Sequence, residues 1–185
     1  MGQYEPCGIF TTGHFILIAI TVICIAIALK YSVRKSKEEV YKIIRNATIV
    51  ICILEAIKII YSIQQNSWKA VDTYLPLYYC SILIYAGLLS SFGKGKLKRA
   101  GDVCLATGSI IGGIVFILYP STSLPRYPAF HILSIYSFLF HGTMVYLGIL
   151  INKTNYIDLK ISDVKYFAAV IGATSIVALI VNKIF

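Results

Sequence analysis

A thiol and two imidazoles fall inside long apolar runs of this chain, where polar groups are expensive. Cys80 follows Pro76 by four residues near the start of the third run, and His131 and His141 lie ten residues apart in the fifth. A thiol becomes a strong nucleophile when a neighbouring base lowers its pKa, and histidine is the usual base. These residue types therefore predict acyl chemistry, provided that the helices bring sulfur and imidazole together.

Other ionisable residues also occur within or at the ends of apolar runs. Glu55 and Lys58 stand three residues apart in the second run, and His14 opens the first. Such groups usually face the interior of a helix bundle, so we predict a shared polar pocket beneath the outer membrane surface. The predicted catalytic residues are Cys80, His141, His131 and Glu55, and the predicted substrate-binding residues are Tyr78, Tyr79, Lys58 and His14.

Each of these residues also has an ordinary structural interpretation. An unpaired cysteine in an apolar run usually packs as a small hydrophobic residue. His131 can anchor a helix at the membrane interface, and Glu55 and Lys58 can simply neutralise each other one helical turn apart. Three histidines, a glutamate and a cysteine can ligate zinc, but no HExxH or similar local pair occurs, so we predict neither a metal nor another cofactor.

The composition places the chain among integral membrane proteins. Of its 185 residues, 58% are hydrophobic and 14% are charged, whereas a soluble domain has about a quarter charged residues. The net charge of +9 is spread over short segments between apolar runs, which favours phospholipid as a partner and argues against nucleic acid. Five cysteines without a CxxC pair predict no disulfide framework, and the N-terminus lacks a basic signal-peptide region, so no cleavage is expected.

Six apolar segments are long enough to cross a bilayer as helices. Because lipid requires every backbone amide to be bonded internally, we predict an all-α polytopic membrane protein, a single domain over residues 1–185 built as a bundle of six transmembrane helices. The predicted spans are 14–32, 47–63, 74–92, 103–119, 130–151 and 166–184.

The basic residues predict the orientation of this bundle. The first, third and fifth connections carry thirteen Lys and Arg residues, and the second and fourth carry only Lys69 and Arg126. By the positive-inside rule the odd connections are cytoplasmic, so both termini lie outside a multi-pass protein of the cell membrane. Gly108 and Gly112 form a GxxxG pair in the fourth span, which predicts close helix packing either within the bundle or in a homodimer.

Two short motifs, an acidic residue in the second span and the six-span layout together resemble the YwaF family of bacterial integral membrane proteins. The motifs are Leu75-Pro76-Leu77-x-x-Cys80 and Phe130-His131…Phe138-Leu139-Phe140-His141-Gly142, and the acidic residue is Glu55. That family is similar to eukaryotic transmembrane acyltransferases that remodel ether phospholipids, and more distantly to membrane hydrolases of lipid esters. The resemblance implies Cys80 as nucleophile and His141 as its partner. One departure is Tyr78, where family members often have histidine.

Residues and resemblance together predict an intramembrane lipid acyl transferase or hydrolase. Cys80 attacks a phospholipid ester, and His141 takes the thiol proton and later protonates the leaving group. A six-span substrate-binding or transport protein with an outward-facing polar pocket is the alternative, because such a pocket suits capture equally well. A third interpretation is a structural membrane protein whose polar residues form an inert hydrogen-bonded network.

Overall fold

The computed structural model describes residues 5–66 and 76–184, and this part of the chain contains helices and their connections without a strand. The α helices are α1 (Thr12–Ser32), α2 (Lys37–Asn66), α3 (Ile82–Phe92), α4 (Gly95–Ala106), α5 (Gly108–Leu118), α6 (Ile132–Lys153) and α7 (Val164–Ile184). Two 3₁₀ turns, Tyr79–Ser81 and Ile161–Asp163, precede α3 and α7.

The predicted all-α polytopic class is confirmed. Helical structure lies within each predicted span, and α4 and α5 together form the fourth. Within the described residues, four helical segments are long and apolar enough to cross a membrane: Thr12–Ser32, Gly95–Leu118, Ile132–Lys153 and Ile161–Lys183. Tyr79–Phe92 is a shorter apolar helix.

Helix α6 lies at the centre of the bundle, where it packs against α1, α2, α4 and α5. Its residues Met144, Leu147 and Leu150 are fully buried in the main apolar core. The outer helices instead expose large apolar side chains, such as Ile23 of α1 and Ile180 of α7. Apolar surface that faces outward has no solvation penalty in a bilayer, so these faces are lipid-facing.

Contacts between connections define the two ends of the bundle. At one end the amide of Cys7 donates to the carbonyl of Tyr127 over 3.0 Å, which joins the N-terminal segment to the fourth connection. At the other end the guanidinium of Arg99 pairs with Asp163, which joins the start of α4 to the fifth connection. The segments predicted to share a membrane side therefore lie together. Which end faces outward stays a prediction.

The second helix begins ten residues before its predicted span, at Lys37. A capping box explains this start: the amide of Ser36 donates to Oε2 of Glu39 over 2.9 Å, and the amide of Glu39 donates to Oγ of Ser36 over 3.3 Å. The Ser36 amide, then the Lys35 ammonium and the Ser36 hydroxyl, lower the pKa of Glu39 to about 2. The hydrophobic span thus continues into a charged, solvent-facing turn.

The third span differs from its predicted form at its outer end. Residues 74 and 75 of the predicted span lie outside the described residues. Helix α3 begins only at Ile82, because Pro76 lacks an amide donor and Tyr78 is extended with ψ 158°. The Pro76 carbonyl instead accepts the hydroxyl of Tyr85 over 2.8 Å. Cys80 consequently lies in a 3₁₀ turn at the entrance to α3, not within a continuous α helix.

The fourth span begins at Gly95 and breaks at Thr107, whose φ of −122° and ψ of −74° are not helical. Directly after the break, Gly108 packs against Phe167 and Gly112 packs against the ring of Tyr79. Their small size is therefore used for packing within the bundle. A homodimer through the same two glycines stays a prediction.

Candidate functional site

Cys80 is half-buried in the turn Tyr79–Ser81, where it packs against the main apolar core. The turn rests on α5, because the Tyr79 ring contacts Gly112 and its hydroxyl donates to the Gly108 carbonyl over 3.4 Å. The predicted nucleophile is thus held in an apolar setting by its neighbour Tyr79.

A groove of about 370 Å³ runs beside this turn, between the start of α3 and helix α7. Tyr79 and Ile82, which flank the segment containing Cys80, lie on one wall, and Ile171 and Leu179 lie on the other. The hydroxyl-bearing residues that line it are Tyr78, Tyr79, Tyr85, Thr174 and Ser175. An apolar cleft with a few polar groups is typical of a site for a small apolar ligand or an acyl chain.

His141 is buried in α6 with one ring nitrogen in use and one free. Its Nδ1 is 2.7 Å from the Ser137 carbonyl, so this nitrogen carries the proton and donates. Its ring stacks on Phe116 with centroids 3.6 Å apart. Its Nε2 is also buried, and it has no hydrogen-bond partner among the described residues. This lone pair is chemically suited to accept a proton.

The structure does not join the predicted nucleophile to the predicted base. No hydrogen bond links Cys80 to His141, whose Nε2 has no hydrogen-bond partner among the described residues. Both segments do contact α5 at adjacent positions. Tyr79, the neighbour of Cys80, packs on Gly112, and the His141 carbonyl faces Gly113. The expectation of a preformed Cys–His pair is therefore not met in this arrangement.

His14 has both ring nitrogens committed to structural bonds. It is fully buried, its Nδ1 accepts from the Phe10 amide over 3.1 Å, and its Nε2 donates to the Ile117 carbonyl over 2.9 Å. Ile117 lies in the last turn of α5, where helix carbonyls lack intrahelical partners. The residue predicted to bind substrate thus ties the N-terminal segment to α5.

His131 occupies the N-cap position of α6. Its Nδ1 accepts from the Leu133 amide over 3.2 Å, and its ring stacks on Tyr127 with centroids 4.6 Å apart. An acceptor at this position satisfies an amide that the first turn of a helix leaves unbonded. The predicted second catalytic histidine therefore has an anchoring role here, which was its alternative interpretation.

Glu55 and Lys58 form the predicted pair, and a tyrosine completes it. The ammonium of Lys58 is 2.6 Å from Oε1 of Glu55, and the Tyr136 hydroxyl donates to the other carboxylate oxygen. The Lys58 ammonium also lies 6.0 Å from the centroid of the Tyr136 ring. Tyr136 was not among the predicted site residues. Its position near the start of an apolar span, five residues before His141, was the available signal.

No group of three or more His, Cys, Asp or Glu side chains suited to a metal ion occurs in the parts of the chain that the structure describes. The polar residues predicted to share one pocket instead occupy several places. His14 and His141 lie on either side of Phe138 and Phe116, Glu55 and Lys58 lie between α2 and α6, and Cys80 lies beside the α3–α7 groove.

Apolar helices with outward-facing aliphatic side chains and a packed core around α6 define a polytopic α-helical membrane protein. The chain matches the TMEM164 family over residues 9–185 and belongs to that family, whose members are membrane proteins. No curated protein and no solved structure matches it. The family match does not extend to the YwaF name or to acyltransferase activity, which stay predictions.

Proposed function

We propose that this membrane protein binds the acyl chain of a phospholipid in the α3–α7 groove and transfers or hydrolyses that acyl group through the Cys80 thiol. The observation that carries the proposal is the position of the groove. Its apolar walls suit an acyl chain, and two of its lining residues, Tyr79 and Ile82, stand one and two positions from Cys80 in the chain. The resemblance of the motif around Cys80 to the YwaF family points to the same chemistry.

The proposed reaction has two balanced steps. The Cys80 sulfur loses its proton to a base and forms a bond to the ester carbonyl carbon, while the ester C–O bond breaks and the lysolipid alcohol leaves with that proton. The hydroxyl of a second lysolipid, or water, then attacks the thioester carbonyl, and Cys80 regains its proton. Transfer and hydrolysis thus differ only in the second acceptor.

The proposed base is His141, because its Nε2 has a free lone pair and is shielded from water. In the arrangement described above, this nitrogen and the sulfur are not hydrogen-bonded. Base catalysis therefore requires that the sulfur and this nitrogen approach each other as the lipid enters. Contacts at active sites commonly tighten only when the substrate is bound.

The test is formation of a thioester on Cys80. Purified protein is mixed with phospholipid that carries an alkyne-tagged acyl chain, and hydroxylamine-sensitive labelling is measured for wild type, Cys80→Ala and Cys24→Ala. Cys24 is exposed on the lipid-facing side of α1, so it is the matched control. We expect Cys80→Ala to abolish the adduct and Cys24→Ala to keep it. Equal labelling of the two variants would remove the nucleophile from the proposal.

A further inference from the structure

The α3–α7 groove lies between two antiparallel helices and has two different ends. The third and fifth connections meet at one end of the bundle, so α3 ends where α7 begins. The groove therefore runs from Tyr78, ahead of α3, and Asn182, near the end of α7, toward the first turn of α3 and Ile171. Ile171 and Asn182 stand eleven residues apart on α7, which is about 16 Å along the helix axis.

The groove ends at Ile171, because α7 packs on the bundle just before this residue. A Cβ at Gly108 of α5 would lie 2.5 Å from Cε2 of Phe167, which stands one turn before Ile171. Val170 is buried, and the side chains of Phe167 and Ile171 pack against the main apolar core. Further along α7 the large apolar side chains, such as Ile180, are exposed. Helix α7 is thus in close contact with the bundle below Ile171 and leaves the groove beside it above Ile171.

The closed end of the groove is also its less polar end. Thr174 stands one turn after Ile171, and its hydroxyl lies 3.0 Å from the backbone carbonyls of both Val170 and Ile171. This hydroxyl is therefore bonded within its own helix and has little need of a ligand. At the opposite end of the groove, Tyr78 and Asn182 are exposed. The methyl end of an acyl chain thus suits the Ile171 end, and a polar head suits the other.

We propose that Ile171 sets the length of the acyl chain that the α3–α7 groove accepts, because its side chain is the stop that the methyl end of the chain meets. This inference rests on the proposed function and adds to it a residue that determines specificity. A chain that ends short of Ile171 leaves a void whose lining loses packing contacts. A longer chain has to bend out of the groove and loses contacts there. The protein should therefore prefer a narrow range of saturated chain lengths.

The test changes the size of residue 171 in both directions and measures chain length without acyl transfer. Protein that carries Cys80→Ser is mixed with an equimolar series of saturated lysophosphatidylglycerols, from decanoyl to eicosanoyl, and native mass spectrometry records which lipids stay bound. Ile171→Ala removes about three carbons from the stop, so the preferred chain should lengthen by about two methylenes. Ile171→Phe fills the end of the groove, so the preferred chain should become shorter.

Two further variants separate a stop from a general loss of stability. Ile171→Val keeps most of the packing of α7 and should lengthen the preferred chain by less than Ile171→Ala does. Ile176→Ala is the matched control, because Ile176 is an exposed isoleucine of the same helix, and it should leave the preference unchanged. A weakened fold would reduce the binding of every chain alike. A stop shifts the preferred length in opposite directions in the alanine and phenylalanine variants.

An unchanged chain-length preference in all three variants of Ile171 would overturn this assignment. A shift in the same direction in Ile171→Ala and Ile171→Phe, or an equal shift in Ile176→Ala, would overturn it too. These results leave the thioester on Cys80 untouched, because that adduct is measured separately. Absence of the thioester together with opposite shifts in chain length would remove the proposed function alone, and the groove would remain a binding site for chains of defined length.

Discussion

Two histidines of this chain are buried, yet their hydrogen bonds give them opposite roles. His14 uses both ring nitrogens, and its bond to the Ile117 carbonyl satisfies the end of α5. His141 uses one nitrogen and leaves Nε2 without a partner against Phe116. A buried polar atom without a partner costs free energy, whereas a bonded one contributes to stability. The two positions should therefore respond differently to an apolar ring.

We expect His141→Phe to be tolerated and His14→Phe to be destabilising. The new phenylalanine at 141 keeps the aromatic stack and removes an unpaired polar atom, so the free energy of unfolding should change by less than about 1.5 kcal/mol. At position 14 it leaves the Ile117 carbonyl unpaired in the core, which costs about 1–3 kcal/mol. Thermal unfolding in detergent, followed by circular dichroism, measures both.

Measuring acyl-thioester formation by the same two variants distinguishes a structural role from a catalytic one. If His141 is the base, His141→Phe loses acyl-thioester formation while its melting temperature stays near that of wild type. A folded His141→Phe variant with full labelling of Cys80 would exclude this histidine as the base. A His14→Phe variant as stable as wild type would contradict the structural role that we give to His14.

At the scale of elements, close crossings between helices depend on glycines that contact the backbone of the neighbouring helix. A Cβ at Gly101 would lie 2.3 Å from the Ser90 nitrogen and 2.5 Å from the Ala86 carbonyl oxygen of α3. Backbone atoms of a packed helix cannot move aside as a flexible side chain can. A Cβ at Gly172 of α7, by contrast, would meet no atom within 4 Å.

We therefore predict opposite effects of alanine at these two glycines. Gly101→Ala should separate α3 from α4 and cost about 1–3 kcal/mol or more. Gly172→Ala should be neutral or stabilise by up to about 1 kcal/mol, because alanine is the better helix former. Melting temperatures of the two variants in the same detergent provide the comparison. A stable Gly101→Ala protein would mean that α3 and α4 do not cross as closely as described.

Element boundaries show where hydropathy is informative and where it is not. The apolar runs located the apolar helices of the bundle, because a helix that crosses a bilayer needs about 20 apolar residues. They did not locate the helix starts at Lys37 and Gly95, because helices continue into water beyond the apolar run, and at Lys37 a capping side chain satisfies the first amides. The Ser36–Glu39 capping box can be recognised in the sequence by its S-x-x-E motif. The helix break at Thr107 has no comparable sequence motif.

At the scale of the whole molecule, the charge pattern and the tertiary contacts agree about which segments share an end. The N-terminal segment bonds to the fourth connection through Cys7 and Tyr127, and the third and fifth connections meet through Arg99 and Asp163. This is the pairing that the alternation of basic connections requires. Absolute orientation depends on the membrane and needs its own measurement.

We expect a membrane-impermeant maleimide to distinguish the two ends. In a cysteine-free background, Glu5→Cys should be labelled on intact cells and Lys96→Cys only after permeabilisation, because both positions are exposed in the fold and lie at opposite ends. The reversed pattern would place both termini inside the cell. It would also place the predicted polar pocket beneath the inner membrane surface.

The sequence by itself determined the class of protein and which connections lie at the same end of the bundle, because these follow from transfer of side chains and charges between water and lipid. It also identified Glu55 and Lys58 as neighbours, since residues three apart on a helix face the same side. These are properties of composition and local spacing.

Only the tertiary structure decided which polar residues meet. The Tyr136 hydroxyl donates to Glu55, and Ile117 and Phe10 bond to the two ring nitrogens of His14. Cys80 lies beside a groove and is not bonded to His141. Such contacts join residues that are distant in sequence, so they depend on how helices rotate and cross. Close packing between helices, including the packing at Gly101 and Gly113, sets how the helices rotate and cross. The hydropathy of the sequence does not encode this packing.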